Sequence, residues 1–366
     1  MDRDEYFMDI ALTTAAAGRG SVEPNPMVGA IIVRDGAELS RGRHEWFGGP
    51  HAEVNAISAA RRAGVDIAGA TMYVTLEPCC HQGKTPPCTQ AIIDAGLSRL
   101  VVAMVDPDQQ VVGGGIKALQ DAGVRVDVGV CQSEAQQLLK AYCKLRRTGR
   151  PWVICKWAQT SDGFLSLPPG CGRWISGPES RRRVHEIRSE CDGILVGIST
   201  VLADDPLLTD RSRSGRRRGP LTRIVLDTSL KLPLDSKLVA TASDTPVLVA
   251  TAADPHTADD MSDRGVELLQ LPGCERGVDV EALLDELGRR QYTYLLVEGG
   301  PGVLASFIDS GLADELFVFV SPQKGNAFPC SRNLPFFDIA EVSARVPLKD
   351  PDKTPIGSDT LLHYYM

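Results

Sequence analysis

The sequence predicts an α/β protein built from two consecutive domains, residues 1–148 and residues 149–366. The length of 366 residues exceeds what one hydrophobic core usually organises. Short apolar strands alternate with amphipathic helices along most of the chain, which favours a sheet covered by helices on both faces. Near the middle, the stretch "RTGRP" contains Gly149 and Pro151, which end a helical pattern and mark the boundary.

The first domain begins with a predicted helix over residues 4–17. The stretches "MVGAIIVRDG" and "AELSRGRH" are predicted strands joined at Asp35 and Gly36, a strong hairpin signal. After this hairpin the pattern predicts helices at 51–64, 86–96, 114–123 and 133–147, with strands at 70–77, 99–105 and 124–130.

The second domain repeats the alternation of strands and helices. Its basic stretch at residues 211–219 has no periodicity and is expected to be a solvated loop. Apolar runs predict strands at 152–158, 193–197, 223–227, 245–250, 292–298 and 315–321, and helical patterns occur at 177–191, 278–289 and 302–310.

Composition excludes several classes of function. A formal net charge of -8 argues against a broad nucleic-acid surface, which needs basic side chains to displace counterions. No apolar run approaches the roughly 20 residues that span a bilayer, and the N-terminus lacks a secretory signal. We therefore expect a cytoplasmic protein with no membrane contact, whose ten cysteines are reduced thiols to be considered individually.

Four residues of the first domain form a constellation suited to a catalytic metal. His51, Cys79 and Cys88 offer one imidazole and two thiolates, a ligand set that zinc prefers, and three protein ligands leave the fourth position for water. Cys88 is predicted in a first helical turn, where the helix dipole favours a thiolate. Glu53 lies two residues from His51 and is placed to take a proton from water and deliver it to a leaving amine.

Cys80 is a further candidate ligand, but successive residues of an extended segment point in opposite directions. Cys80 should therefore face away from a metal bound by Cys79. A structural zinc site would require a fourth ligand, for which Cys80 and His81 are the nearby candidates.

The His-x-Glu and Pro-Cys signature resembles that of zinc-dependent nucleoside and nucleobase deaminases. The long spacing in "EPCCHQGKTPPC", with "NPMVGAIIV" and "HAEVNAI" upstream, resembles the deaminase half of the bifunctional riboflavin-biosynthesis deaminase/reductases. That resemblance implies a cytidine-deaminase-like three-layer α/β/α domain holding one Zn²⁺ per chain. It also implies substrate contacts from Asn25, His44, His81 and Lys84.

The second half resembles the reductase half of the same family, through "KWAQTSDG", "RWIS", "STVLADDPLLTDR" and "YLLVEGGPGVLASF". The resemblance implies a dihydrofolate-reductase-like α/β domain that uses NADPH, with Lys156 and Glu298 nearest the carbon that receives hydride. Substrate contacts are implied for Gly172, Arg188, Leu208, Arg211 and Glu298, and cofactor contacts for Ala158, Leu165, Trp174, Thr200, Asp204, Thr228, Gly299, Gly300 and Gly302.

The function implied is deamination of 2,5-diamino-6-(5-phosphoribosylamino)pyrimidin-4-one, followed by NADPH reduction of the ribosyl group of 5-amino-6-(5-phosphoribosylamino)uracil to ribityl. The partner is then a small phosphorylated pyrimidine, and we expect a homo-oligomer. One alternative is a deaminase of free nucleosides or transfer-RNA adenosine with a degenerate or unrelated C-terminal domain. Another is a non-catalytic nucleotide sensor with a structural zinc.

Overall fold

The computed structural model describes residues 2–80, 87–108, 112–167, 172, 174–212, 219–325 and 334–366. The chain divides into two compact units, Met1–Gly149 and Arg150–Met366. This division falls one residue beyond the boundary predicted from the sequence. Within the described ranges, no helix is both long enough and apolar enough to cross a membrane.

The first unit contains a five-stranded sheet of order β2-β1-β3-β4-β5, in which β1 pairs antiparallel with β2 and β3 and the remaining pairs are parallel. Its strands are β1 (Gly29–Arg34), β2 (Ala37–Arg43), β3 (Thr71–Val74), β4 (Arg99–Val102) and β5 (Arg125–Val128). Its helices are α1 (Arg3–Ala16), α2 (Ala52–Arg62), α3 (Cys88–Asp94), α4 (Gly114–Asp121), α5 (Gln132–Leu138) and α6 (Lys140–Thr148).

Alternation along β1 builds both faces of this sheet. Ile31 and Val33 pack into a core formed with α1, α5 and α6. Ala30 and Ile32 point to the opposite face and pack into a second core formed with α2, α3 and α4. The predicted three-layer α/β/α arrangement is confirmed.

Local signals placed most of these elements correctly. Asp35 and Gly36 have φ of 51° and 81°, the left-handed pair that a two-residue hairpin turn requires. The helix predicted over 133–147 is instead two helices, because Leu139 leaves helical geometry with φ -98° and ψ 13°. The strand predicted over 70–77 ends at Val74. Thr75 still donates its amide to Gly29 of β1, but the Glu77 amide donates to Met104 in the β4–α4 connection.

The second unit contains a nine-stranded sheet of order β10-β9-β8-β7-β13-β6-β14-β16-β15 and a two-stranded ribbon of β11 and β12. The strands are β6 (Trp152–Thr160), β7 (Gly193–Gly197), β8 (Thr222–Leu226), β9 (Val247–Thr251), β10 (Val266–Gln270), β11 (Gly273–Cys274), β12 (Gly277–Val278), β13 (Tyr294–Val297), β14 (Glu315–Ser321), β15 (Asp352–Ile356) and β16 (Asp359–Tyr365). The helices are α7 (Pro178–Ser189), α8 (Ile198–Asp204), α9 (Lys237–Ala240), α10 (Asp259–Ser262), α11 (Val280–Arg289), α12 (Pro301–Asp309) and α13 (Ile339–Arg345), with a 3₁₀ helix at Pro255–Ala258.

The pairs from β10 across to β14 are all parallel, so their carboxyl ends lie along one edge of the sheet. Ligands of open α/β sheets bind at such an edge. The antiparallel hairpin of β15 and β16, which extends this sheet, was not predicted from the sequence. β15 is an exposed edge strand with sequence "DKTPI", which carries a proline and no alternating apolar pattern.

Candidate active sites

The first site brings together the three predicted metal ligands from separate elements. His51 is the N-cap of α2, Cys79 lies on the connection after β3, and Cys88 is the first residue of α3. His51 Nδ1 lies 3.2 Å from Cys88 Sγ and 3.5 Å from Cys79 Sγ. All three ligand atoms are within 4.8 Å of one another, so they could hold a metal ion. One imidazole and two sulfur donors in this geometry fit zinc.

The surroundings shift the pKa values of the two cysteine thiols in opposite directions. A hydrogen bond from the Cys88 thiol, aided by the Cys88 amide at 3.4 Å, lowers the pKa of Cys79. The same sulfur–sulfur bond, together with burial, raises the pKa of Cys88. A lowered pKa favours the thiolate of Cys79, the form that a metal binds.

Glu53 stands beside these donors in the first turn of α2. Its side chain is 3% exposed, and its Oε2 atom has no hydrogen-bond partner among the described residues. Burial raises the pKa of Glu53, and the carboxyl lies close enough to Cys88 to raise the pKa of that thiol as well. A buried carboxyl with one unsatisfied oxygen is unusual unless a water, ion or substrate completes it. The unpartnered Glu53 Oε2 therefore supports the binding of such a group at this site.

Asn25 and His44 are also brought to this site. Asn25 Nδ2 lies 3.2 Å from His44 Nε2, and His44 Nδ1 lies 3.0 Å from the carbonyl oxygen of Pro50. Because a carbonyl only accepts, His44 Nδ1 carries the proton and Nε2 accepts from Asn25. Burial lowers the pKa of His44, which keeps this neutral form. The His44 ring packs edge-on against His51 at 5.6 Å between centroids.

Glu77, which was not among the residues predicted from the sequence, organises the connection that carries Cys79. The Glu77 side chain is 4% exposed and accepts hydrogen bonds of 2.9 to 3.3 Å from four backbone amides in the β4–α4 connection and the start of α4. A Cβ at Gly115 would meet the Pro78 carbonyl oxygen at 2.0 Å, so glycine permits this close approach. An acid just before Pro78, together with the glycine run 113–115, is the sequence signal for this contact.

Cys80 lies apart from the ligand group. Its sulfur is 2.8 Å from where a Cβ of Gly114 would stand, on the α4 side of the connection. Among the described residues, His51, Cys79 and Cys88 form the one group of three or more potential metal ligands, and Cys80 is not part of it. The predicted substrate residues His81 and Lys84 lie outside the described residues.

The second site centres on Glu298, which follows β13 at the carboxyl edge of the large sheet. Its carboxylate accepts from Arg188 Nε at 2.7 Å and Arg188 Nη2 at 2.9 Å, and from Lys156 Nζ at 3.4 Å. Lys156 lies on β6, and Arg188 lies in the last turn of α7. The side chains of all three are at most 15% exposed, so Lys156 is not an ordinary exposed strand residue. Burial opposes ionisation of Glu298, but the charges of Arg188 and Lys156 outweigh it and lower its pKa to about 2.

Arg188 also connects Glu298 to the segment after α8. Its Nη1 donates to the Thr209 carbonyl at 3.1 Å. Leu208, predicted to contact substrate, is 6% exposed and has φ of 49°, a conformation that is strained for a bulky side chain. Arg211 follows, with its amide 3.4 Å from His185 Nδ1. Strain of this kind at a predicted substrate segment is a feature of functional sites.

The glycine turn lies between β13 and α12, where Gly300 is the helix N-cap and Pro301 opens the first turn. A Cβ at Gly299 would meet Val303 at 2.5 Å, while Gly302 has open space beside its Cα. Backbone amides at a helix N-terminus suit a phosphate group.

The other predicted cofactor and substrate residues occupy scattered positions in the second unit. Thr200 on α8 lies across from Gly300, at 4.0 Å from where its Cβ would stand, and Thr228 follows β8 at the same carboxyl edge. Trp174 is 55% exposed with the Arg181 guanidinium over its ring. Of the rest, Ala158 lies on β6, Leu165 packs against the core, Asp204 is exposed at the end of α8, and Gly172 has φ of 103° with open space around it.

Comparisons with known proteins match both units. The model of the cytidine and deoxycytidylate deaminase zinc-binding region matches residues 1–104, and the model of the RibD C-terminal domain matches residues 151–323. Riboflavin biosynthesis protein RibD of Aquifex aeolicus is 41% identical over 320 residues, covering 87% of each chain. The protein of the same name from Escherichia coli K12 is 39% identical over 88% of each chain.

Solved structures agree over almost the whole length. A diaminohydroxyphosphoribosylaminopyrimidine deaminase/5-amino-6-(5-phosphoribosylamino)uracil reductase from Thermotoga maritima is 35% identical, with a TM-score of 0.84 over 99% of this chain and 98% of its own. RibD of Acinetobacter baumannii is 33% identical with the same TM-score and the same coverage. An unrelated C-terminal half, one of the alternatives from the sequence, is therefore wrong.

Proposed function

The chain belongs to the RibD family of bifunctional deaminase/reductases of riboflavin biosynthesis, and we propose the substrates, cofactors and residue roles through which it performs both reactions. The first unit deaminates 2,5-diamino-6-(5-phosphoribosylamino)pyrimidin-4-one, and the second reduces the ribosyl group of the resulting uracil to ribityl with NADPH. The observation that carries the proposal is the convergence of His51, Cys79 and Cys88 beside the unpartnered oxygen of Glu53.

In the deaminase site, His51, Cys79 and Cys88 would hold one zinc ion. Zinc bound there would supply a Lewis acid that makes water nucleophilic at neutral pH. Glu53 receives a proton from water and delivers it to the departing amine, because its raised pKa brings the carboxyl closer to the pH at which a proton is exchanged in both directions. The products are the uracil and ammonia.

Substrate orientation in this site falls to Asn25, with Lys84 as the partner of the substrate phosphate. Both ring nitrogens of His44 are engaged by Asn25 and Pro50, so His44 acts by holding the Asn25 amide rather than by touching the substrate. Lys84, a compact point charge, suits a phosphate group. His81 is the further pyrimidine contact proposed from the inserted stretch between Cys79 and Cys88.

In the reductase site, NADPH when bound would supply the hydride, so the protein needs only to orient the reactants. The glycine turn at Gly299, Gly300 and Gly302 would hold a phosphate of the cofactor. Glu298 stays ionised and fixes the positions of Lys156 and Arg188, which are then directed at the oxygen and phosphate groups of the sugar.

One experiment tests both halves. The full-length protein is incubated with the diamino substrate and NADPH, and ammonia release and NADPH oxidation are measured together. We expect about one equivalent of each per substrate, with ammonia appearing first. Ammonia without NADPH oxidation would contradict the reductase assignment, and release of ammonia from cytidine or transfer RNA in parallel assays would contradict the substrate assignment.

A further inference from the structure

We propose that Arg223 is a positioning residue of the reductase site, an inference that rests on the proposed function of the second unit. Arg223 lies on β8 and is 0% exposed. No carboxylate oxygen lies within ion-pair distance of it anywhere in the described part of the chain. The charge of Asp244 acts on Arg223 only from beyond that distance, and Nε has no hydrogen-bond partner among the described residues. A buried cation of this kind is costly unless fixed acceptors bind its other donors, so its location needs a structural reason.

The acceptors of Arg223 come from two separate segments. On one side, Nη2 donates to the carbonyls of Leu238 at 3.4 Å, Thr241 at 3.0 Å and Thr245, at and beyond the carboxyl end of α9. The Leu238 and Thr241 carbonyls also accept backbone amides of the turn after α9. A carbonyl oxygen has two lone pairs, so the guanidinium can bind several of these carbonyls at once. On the other side, Nη1 donates to Thr241 Oγ1 at 2.7 Å and to the Leu207 carbonyl at 3.3 Å.

The bond to Leu207 places this cation under the strained segment of the reductase site. Asp205 and Leu208, on either side, have φ of 40° and 49°, which non-glycine residues avoid unless their surroundings impose it. Asp205 is fixed in turn by the amide of Lys237 at 2.8 Å, at the start of α9. The hydrogen bonds of Arg223 and of Lys237 therefore both connect residues 205–208 to α9 and its flanking residues.

Two residues after Leu207, the carbonyl of Thr209 accepts a hydrogen bond from Arg188, which also binds Glu298. The position of the segment is thus transmitted to the ion-pair group of the site. By fixing the Leu207 carbonyl, Arg223 holds Leu208 against the site and aligns Arg188 with Glu298. Arg223 itself contacts neither substrate nor cofactor.

The test compares R223K with R290K in the full-length protein. Lysine keeps the charge but cannot bridge Leu207 and the α9 carbonyls at once, because it lacks the planar fork of arginine. Arg290 also bridges two elements, through Glu267 and Glu286, but lies outside the reductase group. We expect R223K to raise the KM for the uracil substrate about tenfold and R290K to leave it unchanged, with deaminase activity of the same chain as internal control.

A merely structural role would lower the amount of folded protein without this selective change in KM. Hydrogen exchange therefore provides a second readout, with faster exchange in residues 205–211 expected for R223K and not for R290K. If R223K does not fold, T241V replaces it, because it removes the one side-chain acceptor that Arg223 uses, Thr241 Oγ1 at 2.7 Å among the described residues, and should produce a smaller change in the same direction. Unchanged exchange or an unchanged KM in the folded variant overturns the proposal.

Wild-type protein that fails to oxidise NADPH instead refutes the proposed function of the second unit. Hydrogen exchange alone then decides whether Arg223 holds residues 205–208 in place.

Discussion

Each unit places one buried carboxyl group at its site, and the two are held in opposite electrostatic surroundings. Glu53 lies beside sulfur donors, has no cation within ion-pair distance among the described residues, and has a raised pKa because it is desolvated. Glu298 lies between Arg188 and Lys156, and its pKa falls to about 2.

The difference follows from what each reaction asks of the protein. Deamination requires a group that gains and loses a proton, so a carboxyl with a raised pKa is useful. Hydride chemistry belongs to the cofactor, and the protein contributes fixed charges that orient the reactants. Glu298 should therefore never exchange a proton at neutral pH, although its side chain is only 10% exposed.

The largest effect is expected from removing one of the three proposed metal ligands of the first site. Cys79→Ser should weaken zinc binding by at least about 100-fold and reduce deamination to background, because serine is a poor zinc ligand. Cys80→Ser is the matched control, since its sulfur faces Gly114, and it should retain both metal and activity. Metal content after dialysis and ammonia release measure the two properties. Loss of metal in Cys80→Ser would mean that the ligand set is wrong.

The next largest effect removes the proton carrier and keeps the metal. Glu53→Gln should lower deaminase kcat by about 10²- to 10⁴-fold, the usual contribution of a general acid–base group, with unchanged zinc content. Reduction of the uracil substrate by the same variant should be unaffected. Glu134→Gln, an exposed carboxyl of α5, serves as control. Activity of Glu53→Gln within about twofold of wild type would exclude the proton-carrier role.

Glu298→Gln tests the other half of the comparison through stability. Removing one partner of a buried ion pair leaves Arg188 and Lys156 unneutralised and should destabilise the second unit by about 3 kcal/mol. Glu281→Gln is the control, because the Glu281 side chain, which pairs with Arg150, is 57% exposed. This substitution should lower the free energy of unfolding by only about 0 to 1 kcal/mol. Urea unfolding can be followed by tryptophan fluorescence, because Trp152, Trp157 and Trp174 lie in the second unit and only Trp46 in the first.

The same variant tests how the stability of the second unit depends on pH. The pKa of Glu298 is below its ordinary value of 4.5, so its stabilisation is complete above that value and is lost as the pH falls towards 2. The difference in unfolding free energy between wild type and Glu298→Gln should therefore shrink from about 3 kcal/mol at pH 6 towards zero near pH 2. A difference that stays constant over this range would show that the ion-pair group does not set it.

Short-range patterns explain what could be predicted from the sequence. The hairpin at Asp35 and Gly36, the alternating strands and the start of α3 at Cys88 depend on neighbouring residues, and each was predicted correctly. The residues of the candidate metal group could be predicted because zinc restricts its ligands to a few residue types carried on short motifs, and the structure brings the three together.

Long-range contacts explain what was missed. The four amides around Glu77 and the hydrogen bonds of Arg223 join segments separated by 29 to 39 and by 15 to 22 residues, and no local pattern marks them. The break at Leu139 was missed because both α5 and α6 carry helical periodicity, and only packing separates them. The β15 edge strand has an exposed, polar sequence that propensity assigns to a loop.

The smallest expected effect concerns Glu77, which supports the first site from behind. Glu77→Gln keeps the shape of the side chain but presents an amide group to backbone donors that need an acceptor. The connection carrying Cys79 should loosen, and zinc affinity should fall about tenfold, as for other groups that orient metal ligands. Asp66→Asn is the control, because Asp66 is an exposed carboxylate that accepts a single amide, from Ala68 at 3.0 Å. If competition with a chelator gives the same zinc affinity for both variants, Glu77 contributes to folding alone, and the three ligands hold the zinc without its support.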